Sequence, residues 1–201
     1  MKNICLLLWL ALPGWEQQQA YPPAKVDYGD YEALVSEVRD YRAQRLVSLD
    51  DFLQKAKDPH TVILDTRSKV MYDYKHVKGA VHLDFSDFTQ AALDDLMRQY
   101  NGTATRILIY CNNNFEDRTQ LSGMDRAFIT KAATPGPPVS PGDIAEESSP
   151  AGKDYMTLAL NIPTFINLYG YGYRNIYELA EWVDVNDPRI EFEGTSVLNR
   201  Q

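Results

Sequence analysis

The stretch "ILDTRSKVMYDYKHVKGAVHL" (63–83) decides which fold the sequence predicts. It begins inside "TVILD" (61–65), a short apolar and β-branched run that is typical of a buried parallel strand. "KVMYDYKH" predicts a helical turn, and "GAVHLDF" re-enters the sheet after Gly79. A strand, a helical turn and a second strand in so short a span indicate an α/β arrangement.

The rest of the chain continues this alternation of helices and strands. Strands that alternate with helices predict an α/β fold with a mostly parallel central sheet flanked by helices, and 201 residues suit a single domain. The further predicted elements are a helix in "YGDYEALVSEVRDYRAQRL" (28–46), a helix from a Ser48 cap to about Lys57, an amphipathic helix in "DFTQAALDDLMRQY" (87–100), a strand in "RILIY" (106–110), a short helix in "NIPTFINLYGYGY" (161–173), and a strand and turn in "RNIYELAEWVD" (174–184).

The charge balance excludes some classes of partner. The formal net charge is −8 and the sequence pI is about 4.9. Nucleic acids and anionic membranes both reward a basic face, so this composition argues against non-specific binding to either. We therefore expect no nucleic-acid partner.

The first residues form a segment of different character. "MKNICLLLWLALPGWEQQQA" (1–20) has Lys2, an apolar run from Ile4 to Leu12 and a polar exit, which is the layout of a secretory signal. The run is shorter than the roughly 20 apolar residues of a membrane-spanning helix, so no stable membrane anchor is expected. The alternative is an uncleaved N-terminal core helix. We favour export, to the periplasm, and removal of the segment would leave Cys111 as the only thiol.

The predicted organisation has four parts. A signal peptide (1–20) precedes an N-terminal helical extension (21–44), a folded domain (45–190) and a C-terminal tail (191–201). Residues 131–153, "KAATPGPPVSPGDIAEESSPAGK", are rich in Pro, Gly and Ser and have no periodic apolar face. Because both flanks have ordered patterns, we interpret them as an insertion within the domain.

The stretch "RILIYCNNNFEDR" (106–118) places Cys111 at the end of a predicted strand, where ligands of parallel sheets bind. Backbone N–H groups of the loop and the positive end of a following helix would favour the thiolate, and Arg118 or Arg67 could add a cation. Glu116 and Asp117 would instead raise the thiol pKa and repel anionic substrates if they point inward. The alternative is a buried cysteine that packs as a small hydrophobe.

The motifs around these residues resemble those of the rhodanese domain. The resemblance covers roughly residues 45–182, and "RILIYC" fits the strand after which the family places its active cysteine. The pattern "NIPTFINLYGYGYRNIYEL" is similar to exported bacterial members. The matching positions in the first motif are Asp65, Arg67, Tyr72 and the run His76-Val77-Lys78-Gly79-Ala80.

The resemblance implies sulfane-sulfur transfer from a small sulfur donor to a thiol or cyanide acceptor, without a cofactor. Cys111 would be the nucleophile that carries the sulfur as a persulfide. Asp65 and Arg67 would tie the strand end to its neighbours, and His76 and Gly79 would be structural. The loop would cradle the outer sulfur through backbone N–H groups of residues 112–117, and the active-site loop comprises Asn112, Asn113, Asn114, Phe115, Glu116, Asp117 and Arg118.

Some positions depart from the family's pattern. Glu116 stands where the family usually has a cation or a hydroxyl residue, and "ELAEW" replaces the usual paired glycines near the domain's end. An acidic loop puts thiosulfate, a dianion, in doubt as the donor. Three scattered histidines and one mature cysteine predict no metal site.

Two other functions compete with sulfur transfer. One is a rhodanese-like module in which Cys111 is idle and the acidic loop binds a protein partner. The other is a cysteine phosphatase on the related scaffold, whose arginine grips the phosphate in a Cys-x5-Arg loop. The spacing from Cys111 to Arg118 is Cys-x6-Arg, with acids inside the loop, so the phosphatase is disfavoured.

Overall fold

The structure is a computed structural model that describes residues 21–116, 132–133, 156–157 and 159–198. Helices and strands alternate along most of this part of the chain, as predicted. The helices are α1 Tyr28–Ala43, α2 Leu49–Ala56, α3 Lys69–Tyr74, α4 Gln90–Met97, α5 Asn161–Gly170 and α6 Thr195–Leu198. The strands are β1 Leu46–Val47, β2 Thr61–Asp65, β3 His76–Val77, β4 Val81–His82, β5 Arg106–Ile109, β6 Phe115–Glu116, β7 Ala132–Ala133, β8 Met156–Thr157, β9 Ile176–Leu179, β10 Val183–Asp184 and β11 Phe192–Glu193.

A five-stranded parallel sheet forms the centre of the molecule. Its strand order is β1-β9-β5-β2-β4, and each adjacent pair runs parallel. The predicted mostly parallel sheet is therefore confirmed. Strand β5 lies in the middle, between β9 and β2. Its carboxyl end is therefore at the centre of the edge formed by the carboxyl ends of the strands.

Apolar side chains cover both faces of the sheet, which explains why its central strands are mostly apolar. Ile63 of β2 packs in a buried cluster with Leu49 and Phe52 of α2. Its neighbours Val62 and Leu64 point to the other face and join a second cluster with residues of α1, α4 and α5. A parallel strand buried on both faces needs no polar alternation.

Two short helices begin at side-chain caps. The Ser48 Oγ accepts a hydrogen bond from the Asp51 N–H at 3.2 Å, so α2 starts where the sequence predicts. The Thr89 Oγ1 accepts from the Ala92 N–H at 3.2 Å at the start of α4. Each cap satisfies an N–H group that has no partner within its helix.

Helix α1, predicted as an N-terminal extension, packs against the central sheet. Its Val38 is buried in the cluster that includes α5. Its Arg42 donates from Nε and Nη2 to the two carboxylate oxygens of Glu178 in β9, at 2.6 Å each. In the part of the chain that the structure describes, no helix has the length and apolar character needed to cross a membrane.

Three short strand pairs lie outside the main sheet. Strand β6 pairs parallel with β10, β7 pairs antiparallel with β8, and β11 pairs antiparallel with β3. Strand β11 lies in the segment predicted as a tail (191–201), and its Phe192 ring packs edge-on against Phe115, with centroids 5.3 Å apart. The predicted signal segment (1–20) and most of the predicted insertion (131–153) lie outside the described residues.

Candidate active site at the carboxyl end of the sheet

Cys111 lies at the carboxyl end of the central strand. It follows β5 by two residues, and its backbone is extended, with φ −146° and ψ 179°. Its side chain is 1% exposed, and it is a free cysteine. The structure therefore places the predicted nucleophile at the edge where parallel sheets bind ligands, with its sulfur covered.

The residues after Cys111 form a tight turn and then a strand. Asn112–Asn114 is a 3-10 turn in which the Asn114 N–H donates to the Cys111 carbonyl at 3.0 Å and the Phe115 N–H donates to the Asn112 carbonyl. Phe115 then pairs with Val183 in the β6–β10 ladder. The N–H groups of Asn114 and Phe115 are thus used within the turn, which corrects the predicted cradle at these two positions.

Three residues of the predicted loop are described only in part or not at all. For Glu116 the structure describes the backbone, which pairs with Asp184. Asp117 and Arg118 lie outside the described residues. The predicted effects of these charges on the thiol remain predictions.

The Asn114 side chain joins the turn to two other parts of the site. Its Nδ2 donates to the Leu179 carbonyl at 2.7 Å and to the Glu181 carbonyl at 3.3 Å. Its Oδ1 accepts from the Cys111 N–H at 2.9 Å and from Asn161 Nδ2 at 2.9 Å. Asn114 therefore fixes the Cys111 backbone to the end of β9 and to the start of α5.

Asp65 and Arg67 form a buried ion pair at the end of β2, next to β5. The Arg67 Nη2 donates to Asp65 Oδ2 at 2.6 Å, and the Arg67 N–H donates to Asp65 Oδ1 at 3.0 Å. Arg67 also reaches the Lys75 carbonyl at 2.7 Å and Asn112 Oδ1 at 3.3 Å. The pair thus connects the strand end to α3 and to the turn after Cys111.

Burial and the Asp65 carboxylate together shift the pKa values of two neighbouring side chains. Burial alone would lower the pKa of Arg67, but hydrogen bonds and attraction to the Asp65 carboxylate raise it above its ordinary value. Burial and the nearby Asp65 carboxylate raise the pKa of Tyr110 well above its ordinary value. The Tyr110 hydroxyl thus keeps its proton, donates to Asp65 and accepts from the Val77 N–H at 3.1 Å.

His76 and Gly79 belong to the connection between α3 and β4. The His76 ring stacks on Tyr72 with centroids 3.8 Å apart, and its Nδ1 lies 2.7 Å from the Tyr72 carbonyl. Gly79 has φ 76°, a backbone conformation that favours glycine, in the turn before β4. His82 Nε2 lies 2.8 Å from the Arg67 carbonyl. Among the described residues, no group of three His, Cys, Asp or Glu side chains could hold a metal ion.

The first turn of α5 contacts both strand ends, which the sequence did not predict. Thr164 and Thr66 share a buried hydrogen bond of 2.9 Å between their hydroxyls, next to the Asn161–Asn114 contact. The helix therefore directs its N-terminal, partly positive end toward the Cys111 turn, where it would favour a negative charge. Its residues follow the cysteine by some fifty positions along the chain, so no local pattern signals the contact.

Residues 48–131 match the family model of the rhodanese-like domain. The match includes β2, β5, Cys111 and the buried Asp65–Arg67 pair. The chain contains a rhodanese-like domain. This confirms the family that the 63–83 motif indicates and agrees with the parallel sheet flanked by helices.

The chain also resembles curated proteins over a limited stretch, and one of them is a bacterial enzyme. It is 30% identical over 89 residues to a tRNA uridine(34) hydroxylase of Bacillus velezensis. The match covers 36% of this chain and 27% of that protein, so the rhodanese-like chain spans about a quarter of its relative. No solved structure matches the chain significantly.

Proposed function

We propose that the protein is a sulfurtransferase that carries sulfane sulfur as a persulfide on Cys111. A rhodanese-like domain suggests sulfur transfer or a related activity. The observation that carries the proposed Cys111 persulfide is the position of a free thiol. It lies at the carboxyl end of the central strand, and the turn that follows it contacts the N-terminal end of α5. Sulfur transfer of this kind uses the thiolate, the nucleophilic form of cysteine.

Two displacement steps account for the transfer. The Cys111 thiolate attacks the outer sulfur of a persulfide or polysulfide donor, R–S–S⁻, and a new S–S bond forms. The donor's S–S bond breaks, and its electron pair leaves with R–S⁻. An acceptor thiolate then attacks the outer sulfur of the Cys111 persulfide and releases the Cys111 thiolate, so the cycle needs no external oxidant or reductant.

The surrounding polar residues would hold the sulfur in place and take no part in bond making. Asn114 fixes the Cys111 backbone through its N–H, and Arg67 holds the turn through Asn112. Because the Cys111 side chain is 1% exposed, the proposal requires a covering side chain to move before a donor reaches the sulfur.

Mass spectrometry of the Cys111 peptide tests the proposal. After incubation with an inorganic polysulfide, we expect the peptide to gain the mass of one sulfur atom and to lose it on reduction. The Cys111→Ser variant should show no gain. A normally folded wild-type protein that acquires no sulfur from polysulfide, thiosulfate or mercaptopyruvate would contradict the proposal.

A second candidate function is a rhodanese-like module that binds a protein partner while Cys111 stays idle. The burial of Cys111 and the use of two turn N–H groups inside the turn favour it. In that case Glu116→Ala and Asp117→Ala should weaken capture of the partner in a pull-down, whereas Cys111→Ser should not. Sulfur loading of Cys111 would argue for the enzyme.

The similarity to a tRNA hydroxylase does not support a tRNA substrate for this chain. Its shared segment is 27% of that protein, and this chain has a net charge of −8. Binding to a nucleic acid gains most of its non-specific free energy from basic residues that neutralise phosphates. We therefore propose a small sulfur compound and a thiol as the substrates.

We further propose that the protein acts after export. The support is the charged, apolar and polar layout of residues 1–20. Cell fractionation followed by intact-mass measurement should find a shortened chain in the exported fraction. A full-length chain confined to the cytosol would contradict export without affecting the proposed chemistry.

A further inference from the structure

The side chain of Asn161 presents a buried hydrogen-bond acceptor that is not used. Asn161 is the first residue of α5 and is 6% exposed. Its Oδ1 has no hydrogen-bond partner among the described residues, although the atom is shielded from solvent. Buried amide oxygens are almost always paired, so an exception at this position calls for an explanation.

The hydrogen bonds of Asn114 determine which atom of Asn161 is unpaired. Asn114 Nδ2 donates to two backbone carbonyls, those of Leu179 and Glu181, and carbonyls only accept. Asn114 Oδ1 must therefore face the other way, where it accepts from the Cys111 N–H. The group of Asn161 that approaches this oxygen at 2.9 Å has to be its donor, Nδ2. A flipped Asn161 amide would bring two oxygens together, so Oδ1 is left as the free acceptor.

The unpaired oxygen belongs to a side chain that meets the turn after Cys111. The Cys111 N–H and Asn161 Nδ2 bind the same Asn114 oxygen, each at 2.9 Å. The Thr164–Thr66 hydrogen bond, one turn further along α5, holds this helix end against β2. The acceptor is thus built into a rigid helix end beside the Cys111 backbone.

An unpaired acceptor at this position destabilises the unbound protein and favours binding of a molecule that donates a hydrogen bond to it. Leaving a buried polar atom without a partner costs free energy, because the atom has lost its hydrogen bonds to water. A bound molecule with an N–H or O–H group at Oδ1 would recover that cost, whereas a molecule that only accepts hydrogen bonds would not.

We propose that Asn161 is a substrate-binding residue that selects sulfur compounds with a hydrogen-bond donor beside the reactive sulfur. The inference rests on the proposed sulfur transfer through Cys111 and names its substrate class. Persulfides of aminothiols, with an N–H group close to the sulfur, belong to that class. Thiosulfate and cyanide offer acceptors alone and do not. The transfer itself is the balanced displacement described above, with the aminothiolate as the leaving group.

The test compares two donors in three proteins. The rate of Cys111 persulfide formation is measured with cysteamine persulfide and with thiosulfate, in the wild type, in Asn161→Ala and in Asn175→Ala. Asn175 is a half-buried asparagine that precedes β9, and it serves as the matched control. We expect Asn161→Ala to lower kcat/KM for cysteamine persulfide by about tenfold and to leave thiosulfate within about twofold. The control should change neither.

Comparable losses with both donors would overturn the inference, because a merely structural role does not distinguish them. If the alanine variant fails to fold, the wild type alone decides. It should use cysteamine persulfide about ten times better than ethanethiol persulfide, which has no N–H or O–H group on its carbon chain. Equal use of the two would also overturn the inference. Absence of any Cys111 persulfide in the wild type would instead overturn the proposed function.

Discussion

The ends of β2 and β5 lie side by side in the sheet, yet they are built for different purposes. At the end of β2, the Asp65 carboxylate is met by Arg67 and by the Tyr110 hydroxyl, and all three side chains are buried. At the end of β5 lie the Cys111 thiol and the unpaired Asn161 oxygen. At the first end the charged and polar side chains pair with one another, which stabilises the fold. The second end presents a nucleophile and an unpaired hydrogen-bond acceptor, which suits binding and chemistry.

The largest effect expected from this comparison is the loss of sulfur transfer on changing the β5 end. Cys111→Ser removes the sulfur that forms the persulfide and keeps a side chain of similar size. We expect turnover with polysulfide and a thiol acceptor to fall to background while the thermal unfolding midpoint changes little. Residual turnover above background in the purified variant would show that the sulfur passes through another group.

The next effect is a loss of stability on changing the β2 end. Arg67→Ala leaves the buried Asp65 carboxylate without its cation, and breaking a buried pair costs about 3–5 kcal/mol. Chemical denaturation of the variant and the wild type measures this difference. Arg67→Lys is the matched control: it restores the charge but not the fork of donors, and we expect an intermediate stability. A loss below about 1 kcal/mol would mean that this buried pair stabilises the fold no more than a typical surface ion pair does.

A smaller loss should follow from removing one hydroxyl between the two ends. Tyr110→Phe takes away a donor to Asp65 and an acceptor for the buried Val77 N–H. We expect the free energy of unfolding to fall by about 1–3 kcal/mol. Tyr177→Phe, which removes a half-buried hydroxyl bound to Arg45, is the control and should cost less. An unchanged Tyr110→Phe variant would mean that the shared hydroxyl does not stabilise the β2 end.

The smallest effect concerns a partly exposed Asp–Arg pair, Asp187 with Arg189, which resembles the pair at the β2 end. Hydrogen bonds from Arg189 lower the pKa of Asp187 to about 2. A carboxyl whose pKa is lower in the folded state stabilises the fold above its unfolded pKa of 3.8, and this contribution disappears as the pH falls toward 2. Asp187→Asn should therefore flatten a small part of the acid unfolding curve between these values. Identical curves for the variant and the wild type would show that solvent screens the pair.

The sequence predicts the parts of the molecule that depend on local patterns. The apolar run of β2, the Ser48 cap of α2 and the strand before Cys111 all follow from residues within a few positions of one another. The 63–83 motif also indicates the family. These local features are enough to predict that Cys111 follows a buried strand, without knowledge of any contact between distant residues.

The remaining parts of the site depend on contacts that no local pattern shows. Asn161 meets Asn114 across 47 positions, and Tyr110 meets Asp65 across 45. Three consecutive asparagines suggest an open polar cradle, yet Asn112 and Asn114 are buried and bind Arg67 and the Leu179 carbonyl. Which polar side chains turn inward depends on the partners that the folded sheet brings near them.

The most direct measurement of the central claim follows one sulfur atom through Cys111. The wild-type protein is loaded with polysulfide, freed of excess donor and mixed with an acceptor thiol, and the Cys111 peptide and the acceptor are weighed by mass spectrometry over time. We predict that the peptide loses one sulfur while the acceptor gains one, at matching rates. A peptide that never gains sulfur, or that keeps it while the acceptor stays unchanged, would contradict the account.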